Sequence, residues 1–172
     1  MLDPSAIIVA DTFDEQQAGQ VPDPTKWIEY EQWAKDQGLS PIIDNSRAHS
    51  GTNSARVESN NSGLGSVLVP ATGFPPPNNS FYVRVYMNWE NATAPIAGHS
   101  AFIIGSDARE NGAEVRLGVS GKAGGTGGIL ELNLMGVGSE VSRYSNGFTT
   151  GADPSAYPSG GVQFLADTWY CV

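Results

Sequence analysis

The chain is poor in cysteine and in positive charge, and both shortages exclude chemistry. Cys171 is the sole cysteine, so no intrachain disulfide and no paired-cysteine zinc site can form. Lys and Arg number 9 against 18 Asp and Glu, and the formal net charge is -9. Nucleic acid is therefore not expected as a partner, since phosphate binding needs clustered Lys and Arg. A local cationic site can still sit on an acidic protein. Long apolar runs are also missing. None approaches the roughly 20 residues that span a bilayer, and no membrane partner is expected. The opening Met1-Leu2-Asp3-Pro4 lacks the basic n-region and apolar core of a signal peptide. Met1 heads either a mature secreted domain or a cytosolic one. Fixed-period repeats and helical heptads are absent too.

What the chain has instead is turn chemistry. It carries 21 Gly and 11 Pro in 172 residues, and only 16% of its residues are charged. Short strands separated by Gly, Pro, Asn and Ser fit that composition, and long amphipathic helices do not. The length suits one domain over 1–172 with a real core. Ile7 to Phe13 reads as an apolar opening strand. Thr25 to Trp33 reads as a strand, with a short helical turn around Glu31 to Gln37. Ser54 to Glu58 and Leu64 to Val69 flank the Asn-rich turn Ser59 to Gly63, a plausible hairpin. Phe74 to Asn79, with three successive prolines, must be a loop.

Alternation then becomes clear. In Phe81 to Trp89 the odd positions are apolar, so Phe81, Val83, Val85, Met87 and Trp89 are expected in the core. Tyr82, Arg84, Tyr86 and Asn88 are expected on the other face. His99 to Ile104 and Ala113 to Val119 read as a pair joined by the loop Gly105 to Gly112. Ile129 to Met135 repeats the pattern, after a glycine-rich turn from Gly121 to Gly128. If these strands are neighbours in one sheet, Tyr82, Arg84, Tyr86, Arg116, Glu131 and Asn133 share one surface. Ser139 to Gly161 is expected to be mostly loop. Phe164 to Val172 looks like a strand only begun, which suggests a domain lacking its last strands or completed by a second chain; a short terminal edge strand is the plain alternative. The fold class expected is all-β, a β-jelly-roll sandwich of two antiparallel sheets.

One turn stands out, Ala48-His49-Ser50-Gly51-Thr52-Asn53-Ser54. Loops of Ser, Asn and Gly expose oxygens in a small arc, which suits a hard cation such as Ca2+, and Asp14 would add negative charge. An ordinary turn capped by its own side chains is the plainer reading. Three Asn-x-Ser/Thr sequons, at Asn60, Asn78 and Asn91, matter only in a eukaryotic secretory host.

The order of several short motifs resembles a known family. Asp11-x-Phe13-Asp14, the His49-Ser50-Gly51 turn, Phe81-Tyr82-Val83-Arg84-Val85, His99-Ser100-Ala101-Phe102-Ile103-Ile104, Val115-Arg116-Leu117-Gly118 and Trp169-Tyr170-Cys171-Val172 carry it. Together they are similar to the fungal and bacterial cellulose-induced jelly-roll proteins, secreted with cellulases and related in fold to glucuronan lyases. The resemblance implies a secreted protein acting on or binding plant or microbial polysaccharide. It implies structural calcium with Asp14, Ser50 and Asn53 as ligands, Ser50 and also Thr52 lending backbone oxygens. The family's further Asp ligand, in a late Trp-Phe-Asp-Asp segment, has no counterpart here. It also implies a cleft in which His99 and Arg116 match family positions, while Glu114 replaces a second His and Ser120 stands near a Gln.

A lyase acting by β-elimination removes the proton α to a uronate carboxylate. It needs a cation to neutralise that carboxylate, a base, and an acid for the leaving oxygen. Arg116 or Arg84 would take the carboxylate, and His99 or Tyr86 would move the proton. Tyr82, Glu114, Glu131 and Asn133 would line the substrate. The bland alternatives are solvated strand faces, with Arg84 and Arg116 paired to Glu114 or Glu131, a hydrogen-bonded His99, and cross-strand packing of Tyr82 and Tyr86. Binding without cutting is a second class, with Trp27, Tyr30, Trp33 and Tyr144 as candidate stacking platforms. Hydrolysis is less favoured, since Glu114 and Glu131 are the only strand-borne carboxylate pair of interest. A structural or interaction module is the third class.

Overall fold

A computed structural model describes residues 7–29, 32–60, 65–74, 76, 81–90, 98–107, 113–121, 128–136, 139–144, 163–165 and 167–172. Tyr30, Asn78 and Asn91 lie outside those residues, as do most of the Asn-rich turn before Gly65, the glycine-rich turn between 122 and 127, and 145–161. The regular structure among the described residues is almost entirely β, with every strand pair antiparallel and one short helix. The all-β expectation holds. The chain forms two compact units, Met1–Val83 and Arg84–Val172.

The first unit is built from three-residue strands: β1 (Trp27–Glu29), β2 (Ile42–Asp44), β3 (Ser54–Arg56) and β4 (Leu68–Pro70), with α1 (Gln32–Asp36) after β1. The strand and helical turn expected between Thr25 and Gln37 are both present. Pairing differs from expectation. β3 pairs with β2, and β4 pairs with β1. Among the described residues the expected hairpin between β3 and β4 shows a bridge, Ser59 to Gly65, a Ser66 N–H bond to Glu58 O at 3.0 Å and a Glu58 N–H bond to the Ser66 hydroxyl at 3.3 Å. Ile7 to Phe13 forms no strand. Its Asp and Thr residues hydrogen-bond locally, and such bonds compete with a ladder.

Ala34, Pro41 and Ile43 are the fully buried centre of this unit. Ile43 is stitched at both backbone atoms: its N–H donates to Gln20 O and its carbonyl accepts from Gly19 N, each at 2.8 Å. Arg56, on β3, lies 3.5 Å from Asp44 on the paired β2 and 3.1 Å from Glu58. Gly73 sits at φ +85°, and a Cβ there would collide with the Ile8 side chain, so the turn after β4 requires glycine.

The second unit is dominated by long strands: β5 (Tyr86–Asn88), β6 (Gly98–Asp107), β7 (Ala113–Gly121), β8 (Gly128–Gly136), β9 (Ser139–Tyr144), β10 (Gln163–Phe164) and β11 (Trp169–Cys171). One sheet runs β10-β8-β7-β6, with β9 also on β8. The strands expected at 99–104 and 113–119 thus pair, and the alternating stretches 113–119 and 129–135 are neighbours. Residues 139–144, expected in a loop, extend that sheet by pairing Glu131 with Tyr144 through to Gly136 with Ser139. A bulge interrupts β6 between Ala101 and Ile103.

Phe81 to Trp89 is not one long strand. Only Tyr86–Asn88 joins a ladder, and its partner is β11. Phe81 and Val83 are 45% and 49% exposed, against the expectation that they are core. Alternation sets which residues share a side, but a ladder partner decides whether a strand forms. The closing Trp169–Cys171 segment has such a partner within the chain, and Val85 and Val172 exchange both backbone bonds at 2.9 Å.

Candidate functional site

Two places gather the residues that the sequence singles out. The first lies at the start of the chain. Phe13 holds a left-handed φ of 63°, unusual for a bulky residue, and Asp11 fixes it: Phe13 N–H donates to Asp11 Oδ1 at 2.8 Å. Asp11 Oδ2 accepts from Gln16 Nε2 at 2.8 Å and from the Trp27 indole at 3.0 Å, with Lys26 Nζ at 3.5 Å. The Asp11 side chain is only 4% exposed. The rings of Phe13 and Trp27 lie 6.0 Å apart.

The bend at Phe13 delivers Asp14 to the Ser50–Asn53 turn. Asp14 Oδ1 accepts the backbone N–H of Thr52 at 2.7 Å and of Asn53 at 3.1 Å, and the Thr52 hydroxyl at 3.4 Å. Those two N–H groups, aided by the Thr12 and Thr52 hydroxyls, hold the Asp14 carboxyl below its ordinary range. Asn53 completes the closure from the other side: its Nδ2 donates to Phe13 O at 3.2 Å and Gln16 O at 2.8 Å. Gly51, at φ +72°, lets the turn come this close, because a Cβ there would run into the Asp14 carboxylate.

Asp14 and Asn53, two of the three expected calcium ligands, are thus brought together with the turn that carries the third, Ser50. The turn meets Asp14 through its N–H groups, where the sequence suggested oxygens facing a cation. Hard donors remain in the Asp14 Oδ2, the Asn53 side-chain carbonyl and the turn's backbone oxygens. Their chemistry fits Ca2+, which takes oxygen ligands. Among the described residues no cluster of three His, Cys, Asp or Glu side chains could hold a metal.

The second place is the five-stranded sheet. Register pairs Arg116 with Asn133 and Ile104, Gly118 with Glu131 and Ala101, and Ser120 with His99. Paired positions share a side and alternate residues return to it, so positions 99, 114, 116, 131 and 133 all fall on one side. The Arg116 guanidinium grips its own strand neighbour: Nε and Nη2 each lie 2.6 Å from Glu114 Oε2. Both side chains are about one-third exposed, at 34% and 27%. Positions 99 and 116 are separated along β7 by the four-residue span from 120 to 116, roughly 13 Å at ~3.3 Å per residue.

The other expected site residues lie elsewhere. Tyr86 pairs with Cys171 in the two-stranded β5–β11 sheet and is 45% exposed. Arg84 is exposed and outside any strand, and Tyr82 is fully exposed in the first unit. The single surface expected for Tyr82, Arg84 and Tyr86 with Arg116, Glu131 and Asn133 is therefore not one sheet. Asp11 is the residue that sequence reasoning undervalued. Its signal was present: an Asp two residues before a turn-forming Phe is a typical side-chain-to-backbone closure.

Residues 15–131 match the model of a polysaccharide lyase-like family, described as the Cip1-like core domain. No curated protein and no solved structure matches the chain.

Proposed function

The chain belongs to the polysaccharide lyase-like family, as a Cip1-like core domain, and on that premise we propose that it engages plant or microbial polysaccharide on the Arg116–Glu114 side of the five-stranded sheet. The supporting observation is the register that gathers positions 99, 114, 116, 131 and 133 on one side of a continuous sheet. A polysaccharide is long and repetitive, and a flat row of donors and acceptors can meet successive units. Arg116 supplies a guanidinium and Glu114 a carboxylate, so the pair offers both donor and acceptor to sugar hydroxyls.

Binding is the better-supported half of the proposal. Eliminative cleavage would need the cation, base and acid around one sugar, and the trio of His99, Arg116 and Tyr86 spans two sheets. The lyase reading keeps one specific support, the family itself. Under it Arg116 would leave Glu114 to neutralise a uronate carboxylate, His99 or Tyr86 would take the α-proton, and the other would protonate the leaving oxygen.

Calcium enters as a stabilising ligand, with Asp14, Ser50 and Asn53 as its donors; there it would tie the chain's start to the turn and do no chemistry. An extracellular location goes with this reading, and no helix among the described residues is long and apolar enough to cross a membrane.

Incubation with uronans, cellulose and xylan tests the proposal, following pull-down and the ultraviolet absorbance of unsaturated product together. Pull-down that Arg116→Ala weakens about tenfold supports the sheet surface. Absorbance lost in Arg116→Ala would establish the lyase reading, and no response to any polysaccharide would overturn both. A thermal melt with chelator, then with added Ca2+, tests the metal: a ligand bound only by the folded state raises the Tm, and identical melts would remove calcium.

A further inference from the structure

A cavity of about 220 Å3 opens in the first unit, beside β1, α1 and β4. Its walls include Pro22, Pro24, Trp27 and Pro41, and two charged residues, Glu29 and Lys35, line it as well. The Trp27 ring is held in place by its indole bond to Asp11 at 3.0 Å. Glu29 is the unusual member. Its side chain is only 12% exposed, and Oε2 lies 3.5 Å from Lys35 Nζ. Oε1 is buried, and no donor among the described residues reaches it. A buried carboxylate oxygen without a donor is costly, and native structures supply a partner to such groups.

We propose that this cavity is a subsite for one neutral pyranose unit of a polysaccharide, the Glu29 side chain turning toward the cavity so that its carboxylate accepts a sugar hydroxyl. The inference rests on the carbohydrate reading above and adds to it a second contact region and a sugar class. Size comes first. A void holds a water once it offers roughly 10–15 Å3, and the cavity's 220 Å3 is far above that and admits one small ring. Wall chemistry comes second. An indole and three proline rings are apolar, and such walls suit the C–H face of a pyranose while its hydroxyls turn to the rim.

Charge decides between sugars. A hydroxyl donating to a buried carboxylate makes a charge-assisted bond, stronger than a neutral one. A uronate would bring a second carboxylate beside Glu29, where Lys35 is already paired, and like charges at that range repel. A cationic ligand would meet Lys35 in turn. A neutral hydroxylated ring is what remains.

Calorimetric titration of the full chain with neutral cello-, xylo- and manno-oligosaccharides, and with a glucuronan oligomer, tests the proposal. At least one neutral oligomer should bind, and Glu29→Ala should weaken it at least tenfold with the melt unchanged. The Trp27 indole N–H signal in NMR should shift on adding that oligomer. If Glu29→Ala does not fold, the isosteric Glu29→Gln and the Trp27 signal carry the test, with a weaker but measurable loss expected. Neutral binding that ignores both Glu29 variants, or leaves Trp27 unmoved, overturns the subsite and leaves the carbohydrate reading standing. Binding of the uronate oligomer alone does the same. No binding of any sugar overturns both.

Discussion

The two units hold themselves together in different ways. In Met1–Val83 each strand is three residues long, and much of the closure comes from side chains bonding backbone: Asp11 to Phe13, Asp14 to Thr52 and Asn53, Asn53 to Phe13 and Gln16. In Arg84–Val172 the central strands β6, β7 and β8 run 10, 9 and 9 residues and pair along almost their whole length. A ladder spreads its stability over many equivalent bonds, so one side chain matters little to it. A closure made by two carboxylates concentrates stability in two residues. The first design places a few groups accurately, and the second lays out a broad surface. The proposed sugar subsite and sheet surface follow that division.

The largest expected effect tests that contrast directly. Asp11→Ala removes the acceptor for Phe13 N–H, Gln16 Nε2 and the Trp27 indole, from a side chain only 4% exposed. Leaving such donors unpaired costs about 1 kcal/mol or more apiece, so a loss near ~3 kcal/mol is expected in denaturant unfolding. Arg116→Ala removes a partly exposed pair from the sheet, and under ~1 kcal/mol should follow. Equal losses would show that the units do not differ in this way.

How much was legible in the sequence follows the same line. Residues 113–119 and 129–135 advertise their sheet because alternation over many residues has one good solution, apolar positions to one side. Phe81 to Val85 carries the same alternation yet forms no strand, since pattern does not supply a ladder partner. Adjacency in sequence suggests pairing β3 with β4, whereas β2 offers the partner used. Residues 139–144 carry little alternation and are paired by β8. At the site, Asp14 lies against the Ser50–Asn53 turn. The groups that meet it are N–H donors, and residue type alone does not say which face a turn presents. Asp11 falls in a stretch that reads as an apolar strand, so its part in closing the turn at Phe13 does not show in the residue pattern.

A smaller effect sharpens the account of the Asp14 closure. Gly51 and Gly38 share nearly the same backbone, φ +72° and +71°, but differ in surroundings. A Cβ at Gly38 meets nothing within 4 Å, while one at Gly51 meets the Asp14 carboxylate. Gly38→Ala should therefore cost only the left-handed backbone term, about 1 kcal/mol. Gly51→Ala carries that cost and also displaces Asp14 from the Thr52 and Asn53 N–H groups, so it should cost roughly 1 kcal/mol more. Equal Tm losses would mean that the turn can shift without losing its bonds.

The smallest effect is with acid, and its sign is fixed by three carboxyls of the first unit. Asp14 is held low by the Thr52 and Asn53 N–H groups, Asp23 by the Thr25 hydroxyl and N–H, and Asp44 chiefly by the Ser46 N–H. The folded forms therefore release their protons more readily than the unfolded chain, whose Asp residues titrate near ~3.9. Near and below that pH the unfolded state binds more protons, so stability rises with pH there. The contribution is complete above the ordinary Asp range and fades as pH falls through the lowered folded values. The amide signals of Thr52 and Asn53 should shift with a midpoint below ~3.9, and Asp14→Asn should flatten the Tm profile across the same window. A midpoint at or above the ordinary value would mean that the turn does not hold the carboxylate in solution, and the contrast between a bonded first unit and a laddered second would lose its clearest chemical signature.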